Sequence, residues 1–198
     1  NFQENIMKRK LKYAVILAGL MGSSVSMAAT GDAVQGASGT INVSGRISFT
    51  TCSATIDSAS QSFALNRADI SGAAAGASLA SPFTTLTLNS CSGYPLTAKV
   101  TANKPGTDSM TGLLDGDSAG VLGYNVGFSA AAGVTGGVGD NHEVPVDGSA
   151  AATPLSIIPD ANSYALKMTT YVKRVGSAAV PGDLGALTGS YTYTINYL

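Results

Sequence analysis

The chain has 198 residues, with 11 basic and 12 acidic side chains, 24 glycines and no tryptophan. This length suits one domain with a hydrophobic core of its own rather than a small disulfide-dense scaffold. The charge balance argues against a nucleic-acid partner, because binding phosphates requires a basic stripe that the sequence lacks.

The first 28 residues have the layout of a secretory signal peptide. Met7 opens a basic cluster at positions 8–12, an apolar run follows from Tyr13 to Met21, and small residues lead to a cleavage position after Ala28. A transmembrane anchor is the alternative, but the apolar run is shorter than the roughly 20 residues that span a bilayer, so the chain is not expected to be membrane-spanning. Residues 1–6 fit no part of this layout, and both an upstream extension and a misplaced start remain open. Residues 29–198 retain seven basic and eleven acidic side chains, a net charge of about −4.

Alternation of apolar and polar residues, the period of half-buried strands, recurs along the rest of the chain. It predicts strands at 39–49, 61–66, 83–91, 96–103, 121–130, 163–174 and 188–198. Seven or eight short strands without a convincing helix predict an antiparallel β-sandwich. The Ala-rich segments 73–80 and 150–152 are expected to form at most a helical turn.

Two cysteines, Cys52 and Cys91, follow the signal peptide. Because that signal directs the chain to an oxidising compartment, we expect them to form a disulfide. Free or metal-bound thiols are the alternative, which the lack of a Cys-x-x-Cys spacing and of a histidine cluster disfavours.

One short motif resembles a catalytic centre. Gly116–Gly120 matches the G-x-S-x-G pattern of serine hydrolases, with Ser118 as nucleophile. The segment that follows is strand-like rather than helical, and the only histidine, His142, comes later in the chain within a Gly/Asp loop. A turn between strands is therefore expected, with no catalytic residue and no enzyme activity.

Three further segments resemble ligand sites, but none of them is predicted to bind a ligand. Asp115 and Asp117 open like a calcium loop, but the closing carboxylate position holds Val126. Residues 140–143 carry metal-ligating side chains at a loop, and 133–139 is glycine-rich without the Lys-Ser/Thr step of a phosphate loop. Neither a metal nor a cofactor nor a small-molecule substrate is predicted.

The two end strands are the informative features. The last run places Tyr191, Tyr193, Ile195 and Tyr197 on one face, and the first alternating run places Ile41, Val43 and Ile47 on one face with Gly39 and Gly45. A strand at each end of a sandwich presents unpaired backbone groups, which proteins cover or use for strand addition.

In these features the chain resembles the structural subunits (pilins) of the chaperone-usher fimbriae of Gram-negative bacteria, of the type 1-like major subunit kind. The likeness rests on the order of signal peptide, polar segment and alternating GTINVSGRI, on Cys52 after the first strand and Cys91 after LTLNSC, and on the end of the chain. There Gly185 is fourteenth from the last residue and Tyr197 is penultimate, as in the C-terminal motif of the family.

The resemblance implies an incomplete immunoglobulin-like sandwich that lacks its final strand. It divides the chain into residues 29–47, a protruding N-terminal extension with a donor strand, and residues 48–198, the sandwich. A periplasmic chaperone would fill the open groove and hold the terminal carboxylate with basic residues. At the outer-membrane usher, the extension of the next subunit would replace the chaperone strand.

Transferred to this sequence, the donor face consists of Gly39, Ile41, Val43, Gly45 and Ile47, preceded by a leading segment at residues 29–38. The chaperone-binding strand consists of Gly185, Leu187, Gly189, Tyr191, Tyr193, Ile195, Tyr197 and Leu198. The function implied is that of a shaft subunit of a surface fimbrium that supports cell adhesion, with other copies of the chain and related pilins as partners. A minor adaptor pilin and a secreted monomeric carbohydrate-binding β-sandwich are the alternatives.

Overall fold

The structure is a computed structural model that describes residues 37–47, 52–129, 132–182 and 184–198. The predicted signal peptide and residues 29–36 of the leading segment lie outside the described residues. Within these ranges the chain forms one short helix, α1 (Arg67–Gly72), and thirteen strands. The strands are β1 (Ser38–Ile47), β2 (Ser53–Ile56), β3 (Ser60–Ala64), β4 (Ser78–Ala80), β5 (Phe83–Asn89), β6 (Leu96–Ala102), β7 (Gly112–Leu113), β8 (Leu122–Ser129), β9 (Val134–Thr135), β10 (Glu143–Val144), β11 (Ser156–Ile157), β12 (Ser163–Arg174) and β13 (Ala186–Tyr197).

The described strands form two sheets that pack face to face, so the predicted all-β sandwich is confirmed. The first sheet has the order β3-β1-β13-β6-β11-β9, and the second has the order β10-β8-β12-β5-β2, with β4 on β12 and β7 on β8. Neighbouring strands are antiparallel except for one pair, β1 and β13, which run parallel.

The core lies between the sheets because each long strand sends alternate apolar side chains inward. Strand β5 buries Leu86 and Leu88, and β12, its neighbour in the same sheet, buries Leu166 and Met168. Strand β8 is buried on both faces, and the turn before β10 lies over its outer side at Gly127. At Gly127 a side chain would place its Cβ 2.4 Å from a backbone oxygen of that covering segment, which explains the glycine in this strand.

The helix lies ahead of the Ala-rich segment in which at most a turn was expected. Asn66 caps α1, because its side-chain oxygen accepts a hydrogen bond of 2.8 Å from the backbone N–H of Asp69. Ile70 is its fully buried anchor. Among the described residues no helix is long and apolar enough to cross a membrane.

Candidate functional site

Strand β1 lies inside the first sheet, between β13 and β3. It pairs in parallel with β13 over ten positions, from Ser38 opposite Ala186 to Ile47 opposite Ile195. Its first half also pairs antiparallel with β3, and the Val43 N–H extends this side by donating to Ala59 O over 2.9 Å. The strand that the resemblance assigns to a neighbouring subunit therefore fills a groove of its own chain here.

The inward face of β1 is the face that the alternation predicted. Ile41 is fully buried, Val43 is 3% exposed, and Ala37 just before the strand is 1% exposed. The side chains between them, Asn42 and Ser44, are exposed on the outer face of the sheet. Burial of a large aliphatic side chain stabilises by roughly 1.5–3 kcal/mol, so Ile41 and Val43 hold β1 in the groove.

Two positions of β1 must be glycine because neighbouring atoms leave no room for a side chain. A Cβ at Gly45 would lie 2.1–2.4 Å from three ring atoms of Tyr193, its partner on β13. A Cβ at Gly39 would lie 2.5 Å from Phe63 Cζ and 2.7 Å from the backbone oxygen of Leu187. Because real Cβ atoms do not approach so closely, any larger residue at either position displaces an aromatic ring or the backbone.

The groove between these glycines is shaped by β13. Ile41 lies opposite Gly189, whose missing side chain leaves room for the Ile41 Cγ1, Leu114 and Tyr124. The Tyr124 hydroxyl reaches across from the second sheet and donates to Ser190 O over 2.9 Å. Burial raises the pKa of Tyr124, so this hydroxyl stays protonated as a donor at any physiological pH.

A buried polar bridge crosses the groove from one wall to the other. The Thr170 hydroxyl, on β12 of the opposite sheet, donates to Gln61 Oε1 over 2.5 Å and lies 3.1 Å from the Tyr191 hydroxyl. Since Thr170 has a single hydroxyl proton, the Tyr191 hydroxyl donates to it. Gln61 Nε2 in turn donates to Met168 O over 3.3 Å. Burial raises the pKa of Tyr191 to about 12, which keeps this bridge neutral.

Gln61 and Thr170 were not anticipated from the sequence. Gln61 pairs with Ile41 and Tyr191 pairs with Val43, so the bridge spans β1 from both sides. The sequence does contain a signal for Gln61. It alternates with Phe63 and Leu65, so it occupies an inward position among apolar residues. Buried polar groups of this kind require hydrogen-bond partners. A polar residue at an inward position of an alternating strand therefore indicates a buried hydrogen-bond network.

The predicted chaperone-binding strand corresponds to β13 and the residues beside it. Leu187, Tyr191, Tyr193 and Ile195 point inward and are at most 5% exposed. Gly185 precedes the strand, is exposed, and has no atom within 4 Å of where a Cβ would stand.

The end of β13 is the more exposed part of the site. Tyr197 is 38% exposed and packs edge-to-face on Tyr94 with ring centroids 5.5 Å apart. Leu198 is 59% exposed, and its N–H donates to Pro95 O over 3.0 Å.

The predicted disulfide between Cys52 and Cys91 is confirmed, with a Cα–Cα distance of 4.9 Å. It joins the start of β2 to the end of β5, and both sulfur-bearing residues are buried. The bond therefore fastens β2 to β5 at one edge of the second sheet.

The residues considered for catalysis lie in separate turns. Ser118 is exposed in the turn between β7 and β8, where the Leu122 N–H donates to Asp117 Oδ2 over 2.7 Å. His142 lies in the turn before β10, with Nδ1 2.8 Å from Gly136 O. Glu143 of the same loop is paired with Lys173 at 2.9 Å and accepts from Asn125. Within the described ranges no cluster of three His, Cys, Asp or Glu side chains could hold a metal.

Comparison with known proteins identifies the fold of the chain but no family to which it belongs. No protein-family model and no curated protein matches the chain. Among solved structures, the crystal structure of the P pilus rod subunit PapA superposes with a TM-score of 0.52 at 18% sequence identity. The match covers 75% of this chain and 100% of that one. The chain therefore has the β-sandwich fold of a pilus rod subunit.

Proposed function

We propose that this chain is the structural subunit of a surface fimbria and that it polymerises by donor-strand exchange. The observation that carries the proposal is the position of β1, an end strand that completes the sheet between β13 and β3. Without β1, strand β13 keeps its pairing with β6 and the second sheet keeps its own pairs. Among the described strands β3 pairs with β1 alone, so β3 requires a strand in this position. The pilus-subunit fold of the comparison structure is consistent with this function.

Withdrawal of β1 leaves a groove that requires a replacement. The inward faces of Tyr191, Gln61 and Gly189 would lose Ile41 and Val43, and the backbone of β13 would lose a row of hydrogen-bond partners. Unpaired edges and exposed apolar surface of this kind favour strand addition or aggregation. A periplasmic chaperone strand, and then the β1 strand of another copy, fit that requirement.

The remaining steps of the proposal rest on the predicted signal peptide and the resemblance. The chain is exported to the periplasm, is held by a chaperone, passes the outer-membrane usher, and is displayed on the cell surface, where the fimbria supports adhesion. Gly185 to Leu198 is the proposed chaperone-binding strand. Whether the subunit occupies the shaft or an adaptor position is decided by its neighbours.

One observation favours a second candidate, a secreted monomeric β-sandwich module. Since β1 closes the sheet within one chain, no second chain is needed to satisfy β13. The two candidates differ in whether β1 and the groove exchange between copies.

Exchange is tested by supplying the strand in trans. Ile41→Asp places a charge in the groove and should prevent β1 from binding there, while Asn42→Asp changes an exposed neighbour and serves as the control. We expect the wild type and Asn42→Asp to form multimers that survive detergent at room temperature, and Ile41→Asp to form none. A synthetic peptide of residues 37–47 should bind the Ile41→Asp protein and restore its cooperative unfolding. A wild type that stays monomeric at every concentration, with no peptide binding to Ile41→Asp, would support the monomeric module instead.

A further inference from the structure

We propose that the side chains of Lys173 and Asn125 join through an intramolecular amide bond, with Glu143 as the acid–base group. None of the three residues belongs to β1, β3 or β13, so the inference is independent of strand exchange. It is carried by one carboxylate oxygen. Glu143 Oε2 accepts hydrogen bonds from Lys173 Nζ over 2.9 Å and from Asn125 Nδ2 over 2.6 Å. A primary amine and a carboxamide are thereby held side by side on a group that can transfer protons between them.

The pairing of the strands brings the three groups together on the outer face of the second sheet. Asn125 on β8 lies opposite Tyr171 on β12, and Lys173 follows two positions further along β12 on the same face. Diagonal neighbours of this kind are within reach of a long side chain. Glu143 lies opposite Gly127 on the other side of β8. Strands β8, β12 and β10 therefore supply the amide, the amine and the carboxylate, respectively.

The cluster is shielded from most of the solvent although it lies on an outer face. Asn125 is 8% exposed and Glu143 is 9% exposed. The side chain of Lys173 is 20% exposed. Over the same strand, the backbone oxygen of Asn141 lies 2.4 Å from where a Cβ of Gly127 would stand, so the turn before β10 roofs this part of β8. A site with little water favours attack on the amide by the amine over attack by water.

The reaction exchanges one amide nitrogen for another and needs no oxidant and no cofactor. Lys173 Nζ transfers a proton to the Glu143 carboxylate, and the neutral amine attacks Asn125 Cγ. The Nζ–Cγ bond forms, and Nζ gives up a second proton as the Cγ–Nδ2 bond breaks. Both protons pass by way of Glu143 to Nδ2, which leaves as ammonium. Glu143 ends as a carboxylate, so atoms and charge balance.

The carbonyl oxygen of Asn125 has a hydrogen-bond donor of its own. Thr111 Oγ1 donates to Asn125 Oδ1 over 3.4 Å. Negative charge develops on Oδ1 when the amine adds to Cγ, so a shorter bond from this hydroxyl stabilises the tetrahedral intermediate. Thr111 is placed beside β8 because the next residue, Gly112, pairs with Tyr124. Gly123 leaves space for it, since a Cβ there would lie 2.7 Å from Thr111 Cγ2.

The bond adds a covalent link to the ladder between β8 and β12. A link between positions 125 and 173 restricts the unfolded chain as a disulfide does, but thiols do not reduce it. The second sheet is then crosslinked twice, through this amide and through the disulfide between Cys52 and Cys91. Reduction of the disulfide leaves the amide as the only crosslink among the described residues.

The test is peptide mapping of the purified full chain by mass spectrometry after reduction. Trypsin should release residues 100–167, which contain Asn125, joined to residues 168–174. The combined mass should be lower than that of the two separate peptides by one molecule of ammonia. Because an acylated Lys173 is no longer cleaved by trypsin, the second peptide should extend to Arg174. Separate peptides of full mass from the wild type overturn the proposal, and this result does not depend on the folding of any variant.

Three variants test the roles of the side chains. Lys173→Arg keeps the positive charge and removes the amine, and Glu143→Gln removes the proton carrier, so we expect neither to give the joined peptide. Lys167→Arg is the matched control, because Lys167 lies on the same strand over the ring of Phe83, and it should give the joined peptide in full. A joined peptide from Lys173→Arg, undiminished joining in Glu143→Gln, or loss of ammonia without joining overturns the assignment.

Discussion

The packing of Ile41 determines how strongly β1 is held in its own groove. Its side chain is fully buried, lies over Gly189, and has its Cγ1 3.6 Å from where a Cβ of that glycine would stand. Ile41→Ala removes most of this side chain and leaves a cavity that Leu114 and Tyr124 cannot close without moving. Substitutions of a buried isoleucine by alanine lower the free energy of unfolding by about 2–5 kcal/mol.

The measurement is urea unfolding of the monomer, followed by circular dichroism and by tyrosine fluorescence because the chain has no tryptophan. We expect Ile41→Ala to lower the free energy of unfolding by about 3 kcal/mol, with an unchanged dependence on urea concentration. For a domain of this size that loss corresponds to a decrease in Tm of roughly 10 °C.

The matched control is Asn42→Ala, one residue along the same strand on the exposed face. Substitution there should change the free energy of unfolding by no more than about 0.5 kcal/mol. If Ile41→Ala were as mild as Asn42→Ala, β1 would not be part of the folded core of the monomer, and the reasoning from its burial would be refuted.

Two further predictions concern the disulfide and the polar bridge. Replacement of both Cys52 and Cys91 by alanine removes a disulfide with a sequence separation of 39. We expect this to lower the free energy of unfolding, measured in urea, by about 4 kcal/mol. A loss below about 1 kcal/mol would contradict this expectation. Tyr191 has its pKa raised to about 12 by burial, so between pH 10 and 12 the unfolded chain loses this proton while the folded chain keeps it. Stability from this group is therefore full below pH 10 and declines above it, by up to about 1.4 kcal/mol for each pH unit. Tyr191→Phe should make the decline shallower in urea titrations at successive pH values, and an unchanged slope would show that Tyr191 ionises as freely in the folded state.

Alternation predicted which side chains of the end strands point inward, and the structure agrees. Ile41 and Val43 are buried as expected, and so are Tyr191 and Tyr193. Alternation is a property of one strand, since successive side chains point to opposite faces whatever the neighbouring strand is. It therefore carries no information on the neighbour of β1 or its direction, and the parallel pairing with β13 was not predictable from the pattern.

The short elements were missed for a different reason. Strands of two residues, such as Gly112–Leu113 and Glu143–Val144, are too short to show a period of two. Both pair with β8, so they are set by a tertiary contact rather than by a local pattern. The helix at Arg67–Gly72 does have a local signal, the Asn66 cap, but its six residues contain less than two turns of apolar periodicity.

Under the proposed strand exchange, insertion of β1 into its own groove competes with insertion into the groove of a second copy. A strand tethered beside its own groove has an effective concentration on the order of millimolar, so subunits at micromolar concentration would exchange only if the exchanged strand bound better by about 4 kcal/mol. Each joint of a linear polymer fills one groove, so exchange adds no filled groove over the self-inserted monomers. The preference for exchange must then come from a better fit of the exchanged strand rather than from the number of filled grooves.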